Sequence, residues 1–77
     1  MEIHVRLFNQ LRCYAPSSQT VFSIQLPQDA SVGELLEQLK IPATVQRTIL
    51  VNGRRADEKA LFSQGDEVVL MSPIEGG

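Results

Sequence analysis

Apolar and polar residues alternate from the start of the chain: Ile3, Val5 and Leu7 fall on one side, Glu2, His4 and Arg6 on the other. A period of two predicts a half-buried strand with its odd positions inward. The pattern breaks over Asn9 to Ser18, which ends in Pro16, Ser17 and Ser18 and reads as a loop with one helical turn at Gln10 to Tyr14. Alternation returns over Thr20 to Leu26, where Phe22, Ile24 and Leu26 share a face, and Pro27 stops the ladder. The period then changes. Val32, Leu35, Leu36 and Leu39 recur at i, i+3, i+4 and i+7, one helical stripe that needs a sheet or another helix to cover it. Ser31-Val32-Gly33-Glu34 predicts a capping box at its start, with the Ser hydroxyl and the Glu carboxylate each accepting from a backbone amide. The stop falls near Lys40, whose charge suits the helix dipole, ahead of Pro42. A third strand is expected at Thr48 to Val51. Asn52-Gly53 then makes a type I′ hairpin turn into a short fourth strand, Arg54 to Ala56. Leu61 and Phe62 are expected to plug the core from a single turn, and Gly65-Asp66 turns the chain into the fifth strand, Glu67 to Met71. Val68 and Leu70 point one way and Val69 and Met71 the other, which suits a central strand.

The element order is thus β, β, α, β, β, β, an α+β arrangement of about five strands in a mixed sheet with one main helix packed on one face. A ubiquitin-like β-grasp fits that order in so few residues, with the first and fifth strands as central parallel neighbours; this is a fold-level analogy. One helix covers one face. The other face, carrying His4, Arg6, Phe8, Val69 and Met71, is left for solvent or a partner. With 77 residues and 43% hydrophobic content the chain is expected to form one domain, 1–71, followed by a C-terminal tail, 72–77, that ends in Gly-Gly.

Composition then narrows the function. A net charge of -2 and a pI near 5.2 argue against nucleic acid as partner. No apolar run approaches the ~20 residues of a membrane span, and Met1 leads directly into the strand pattern rather than into a signal segment. The single cysteine, Cys13, cannot form an internal disulfide, which points to a reducing, cytoplasmic setting. So small a chain has little interior from which to build a water-excluding active site, so a surface function is expected. One His and one Cys with scattered carboxylates cannot supply a four-ligand zinc site, and no phosphate-binding glycine motif follows any strand, so neither metal nor bound cofactor is expected. His4 reads as a surface or partner-facing residue, since no orienting carboxylate is near it in sequence. Cys13 reads as an ordinary thiol. Arg54 and Arg55 read as charges that keep an edge strand soluble, and Glu34 and Glu37 as the solvated face of the helix.

The exception is the end of the chain. Gly76 and Gly77 close it after Ser72-Pro73-Ile74-Glu75; at ~7% glycine usage two such terminal glycines arise by chance in about one chain in 200. Fraying accounts for many termini, but a tail without Cβ atoms can enter a channel too narrow for any other residue. Six extended residues reach roughly 20 Å. The terminal carboxylate they carry is ionised at neutral pH, able to attack phosphorus but inert as an acyl electrophile until it is activated by ATP.

With that tail in view the chain resembles the MoaD/ThiS family of ubiquitin-like sulfur carriers. The likeness rests on Val5-Arg6-Leu7-Phe8, Ser31-Val32-Gly33-Glu34-Leu35-Leu36, Val51-Asn52-Gly53, Leu61 followed by Gly65-Asp66-Glu67-Val68, and the closing Gly76-Gly77. The resemblance implies a carrier rather than an enzyme. A ubiquitin-activating-type adenylyltransferase would use MgATP to convert the Gly77 carboxylate to an acyl-adenylate, and a persulfide sulfur would displace AMP to leave a thiocarboxylate. It implies site roles for Gly77 as the reacting group and for Gly76, Glu75, Ile74 and Pro73 as the tail, with Phe8, Val69 and Met71 on the docking face. Asn9-Gln10-Leu11-Arg12 and Pro73-Ile74 are similar to the molybdopterin branch, whose partner is the molybdopterin synthase large subunit. Ser72 stands where that branch usually has a first proline, and Glu75 where it has a small residue. A carrier for the thiamine thiazole or another sulfur pathway, a ubiquitin-like modifier forming isopeptide bonds, and a plain binding module remain open alternatives.

Overall fold

The computed structural model describes residues 1–73. Its five strands are β1 (Glu2–Phe8), β2 (Val21–Gln25), β3 (Thr48–Val51), β4 (Arg54–Arg55) and β5 (Glu67–Met71), in the sheet order β2-β1-β5-β3-β4. β1 and β5 run parallel at the centre, while β2, β3 and β4 add antiparallel. This is the ubiquitin-like β-grasp that the element order suggested.

α1 (Val32–Gln38) lies across one face. Ile3, Val5 and Leu7 of β1, Val68 and Leu70 of β5 and Ile49 of β3 meet Val32, Leu35, Leu36 and Leu39 in a single core, and Phe22 and Ile24 close it from β2. Among the described residues no polar or charged residue is buried.

The local signals behave unevenly. Asn52 and Gly53 both take positive φ, 52° and 82°, as a type I′ turn demands. Asn52 also ties that turn to β5: its Nδ2 donates to Asp66 Oδ1 at 3.0 Å and its Oδ1 accepts from the Glu67 N–H at 3.0 Å. The loop after β1 is more ordered than its sequence suggested, forming 3-10 helices at Asn9–Tyr14 and Pro16–Ser18. It buries Leu11.

Three expectations need correction. Phe62 is buried, but Leu61 is 62% exposed because it pairs with Ser31 in an isolated bridge that turns its side chain away from the core. The capping box is half formed. Ser31 Oγ accepts from the Glu34 N–H at 3.3 Å, whereas the reciprocal bond from the Ser31 N–H to the Glu34 carboxylate is not made. The other amides of the first turn are satisfied from a distant loop, Val32 donating to the Ala60 carbonyl and Gly33 to the Glu58 carbonyl, each at 2.9 Å. Finally, β2 and β4 are shorter than their alternation predicted, since Thr20, Leu26 and Ala56 lie just outside the ladders.

Candidate functional site

β5, at the centre of the sheet, feeds the tail. Past Met71, the Ser72 carbonyl accepts from Asn9 Nδ2 at 3.2 Å and Ser72 Oγ accepts from the Gln10 N–H at 3.3 Å. Pro73 then stands between two open clefts of about 500 and 510 Å³ that share Val45 and Gln46. Pro73 is the one member of the expected tail site within the described residues; Ile74, Glu75, Gly76 and Gly77 lie outside them.

The helix-free face of the sheet surrounds this exit. Cross-strand register puts Val21, Arg6, Val69, Leu50 and Arg55 in one row, from β2 through β1, β5 and β3 to β4. Phe8, Met71 and Thr48 form the next row towards the tail. The structure therefore brings Phe8, Val69 and Met71 together as neighbours, Phe8 being 43% exposed and the other two half-buried. Sequence reasoning overlooked two apolar members of this surface, Val21 and the half-buried Leu50. Alternation could have found Val21, which sits beside Phe22 on the opposite side of its strand; the third strand, apolar from Ile49 to Val51, carries no alternation to place Leu50. Arg6 and Arg55 flank the Val69–Leu50 pair three ladder spacings apart, roughly 14 Å. Arg54, by contrast, is paired with Val51 and belongs to the helix side.

The remaining candidates are scattered. His4 Nδ1 lies 3.0 Å from Ser23 Oγ, and Glu67 is its register neighbour on the other side. The trio is exposed, and His4 and Glu67 line an open cleft of about 220 Å³ together with Arg6 and Val21. Cys13 is exposed and unpaired. No group of three or more His, Cys, Asp or Glu side chains converges on a metal position among the described residues. No helix there is long and apolar enough to cross a membrane. What the described residues offer is a sheet face with an apolar cluster of Phe8, Val69, Leu50 and Met71, and Ser72 and Pro73 following β5 beside it.

Known proteins agree with that geometry. Residues 5–77 match the ThiS family. No curated protein matches the chain. Among solved structures, SAMP1 from Haloferax volcanii, a small archaeal modifier protein, is 23% identical with a TM-score of 0.80, covering 100% of both chains. A chain of the complex of subunits 1 and 2 of the molybdopterin-converting factor from Helicobacter pylori is 23% identical with a TM-score of 0.68, again covering 100% of both chains. The ubiquitin of Caldiarchaeum subterraneum is 19% identical with a TM-score of 0.60, covering 100% of this chain and 98% of that one. At these identities the structures establish the β-grasp fold, and the family match establishes membership: the chain belongs to the ThiS family.

Proposed function

We infer that the reacting group of this protein is the Gly77 carboxylate, delivered on the 72–77 arm into partner proteins that supply the catalytic side chains. The observation that carries this reading is the match of residues 5–77, Gly76-Gly77 included, to the ThiS family. In the first step a carboxylate oxygen of Gly77 attacks the α-phosphorus of MgATP in a ubiquitin-activating-type adenylyltransferase, and pyrophosphate leaves. The terminal sulfur of a persulfide then attacks the acyl carbon and AMP leaves. A thiol cleaves the resulting S–S bond, becoming a disulfide, and the chain departs as a thiocarboxylate. Adenylation exchanges the poor leaving group of a carboxylate for AMP, a good one, and that single activation is what allows sulfur to enter at the acyl carbon.

The recipient we favour is a molybdopterin synthase large subunit, with this chain as the non-catalytic small subunit in molybdenum cofactor biosynthesis. Support comes from the segment Asn9–Arg12, from Pro73, and from the fold shared with a molybdopterin-converting factor subunit that is held in complex with subunit 2. Phe8, Val69 and Met71, with Leu50 beside Val69, would form the docking face. Burying such side chains at about 1.5–3 kcal/mol each offsets a useful part of the association entropy. A second reading, conjugation of Gly77 to a target lysine, is favoured by the likeness to a small archaeal modifier protein.

The shared first step is tested by ATP–pyrophosphate exchange with the activating enzyme of the same cell. The intact chain should support exchange and a chain amidated at Gly77 should support none. Exchange that survives amidation removes the carboxylate from the chemistry and with it this proposal.

A further inference from the structure

The chain does not simply run off the sheet after β5. The last register pair of the central ladder is Phe8–Met71, yet the next residue, Ser72, is held again, by Asn9 Nδ2 on its carbonyl and by the Gln10 N–H on its hydroxyl. These bonds join segments 63 and 62 positions apart. Asn9 has φ of 57°, in the left-handed region that Asn tolerates better than most residues. That turn ends β1 and brings the Asn9 amide and the Gln10 N–H to Ser72. On the opposite side Val45 and Gln46 line the cleft that also contains Gln10, Ser72 and Pro73. Arg47 braces that wall through Nη1 bonds to the Pro42 and Val45 carbonyls at 3.2 and 2.9 Å and an ion pair with Glu58. Pro73 follows, with its φ fixed near -65° by the ring, so a direction imposed at Ser72 is transmitted rather than lost at the next bond.

At 3.2 and 3.3 Å, and exposed, the two Ser72 bonds are individually weak. The core packs beneath the helix and owes little to them. Their effect is on orientation. We propose that Asn9, Gln10 and Ser72 form a collar that fixes the direction in which the arm leaves the sheet, so that the tail meets the activating partner already aimed. This rests on the reading of Gly77 as the reacting end. Apparent affinity falls in proportion to the fraction of molecules in the competent orientation, so the collar belongs in KM rather than in kcat. Ser72, where the molybdopterin branch usually carries proline, is then a positioning residue: a hydroxyl clamp in place of a ring.

The test uses the full chain. Asn9→Gly keeps the left-handed backbone and removes the amide, Ser72→Ala removes the hydroxyl, and Ser72→Thr restores it. Nitrogen-15 relaxation of the free protein should give Ser72 a backbone order parameter near the rigid value of about 0.85 in wild type and Ser72→Thr, falling below about 0.6 in the Asn9→Gly/Ser72→Ala double variant, with Val69 and Leu70 unchanged. In the exchange assay each lost bond should raise KM for the carrier about three- to tenfold with kcat held, and Ser72→Thr should match wild type. Unchanged order at Ser72 in the double variant overturns the collar, as does lost order with unchanged KM or a fall confined to kcat. Absence of exchange with the wild-type chain would sink the carrier reading instead, while Ser72 order would still decide whether the collar exists.

Discussion

Arg47 sits in a stretch whose sequence carries no periodic signal, yet it fastens the whole connection between α1 and β3. Its guanidinium reaches the Pro42 and Val45 carbonyls and pairs with Glu58, and its side chain is only 10% exposed against 54% for Glu58. The two kinds of contact differ in worth. An ion pair with an exposed partner contributes about 0–1 kcal/mol, whereas hydrogen bonds from a charged donor contribute about 1.5–3 kcal/mol. Arg47→Met is therefore expected to lower unfolding free energy by about 2 kcal/mol, because two carbonyls lose their donor, and Glu58→Gln by under about 1 kcal/mol. Urea denaturation at constant m-value distinguishes them; equal losses would mean that the ion pair dominates. None of this was legible in the chain, since partners at 42, 45 and 58 follow no spacing rule. Asn52 is the contrast. Its need for positive φ is local and so was readable, while its bonds to Asp66 and Glu67 depend on β5 arriving alongside and were not.

α1 shows the same division at the level of an element. Its apolar stripe was visible because a period of 3.6 is a property of neighbouring residues, and all four stripe positions reached the core. Its ends were not. The first-turn amides find carbonyls of Glu58 and Ala60, far along the chain. The last turn closes as a Schellman motif, with the Ile41 N–H donating to the Leu36 carbonyl at 3.0 Å and the Lys40 N–H to the Glu37 carbonyl at 3.0 Å. Lys40 occupies the left-handed position with φ of 60°. There a side chain costs roughly 1–2 kcal/mol relative to glycine, more than the few tenths its charge returns through the helix dipole. Lys40→Gly should therefore stabilise the protein by about 1 kcal/mol and raise Tm by ~4–8 °C. A drop in Tm would show that the charge, which the sequence reading emphasised, outweighs the backbone. Leu61 failed as a core residue for a related reason: its hydrophobicity was local information, but the bridge to Ser31 that turns it outward was not.

Among the described residues of the molecule, the one α-helix packs on one face of the five-stranded sheet, and the chain passes Ser72 and Pro73 beside the other. The centre of the sheet was predictable because β5 is apolar on both sides; the grip on Ser72 was not, because it joins residues that only the finished parallel ladder brings together. Met71 links the two features, lying on the open face next to Phe8 and one residue before the collar. A charge there should leave the folded body intact, since Met71 is only half-buried. Met71→Glu should nevertheless weaken binding of the activating enzyme or the large subunit by at least about tenfold, the loss of one buried side chain of about 1.5–3 kcal/mol. Unchanged affinity by calorimetry would remove Met71 from the docking face. The central claim, that the chain carries sulfur on its last residue, is met most directly by intact mass spectrometry after incubation with the activating enzyme, MgATP and a persulfide source. The account predicts a single product in which one oxygen of Gly77 has been replaced by sulfur, and its disappearance when Gly77 is deleted. A chain of unaltered mass, or one found only in larger conjugates with lysine-bearing proteins, would contradict it.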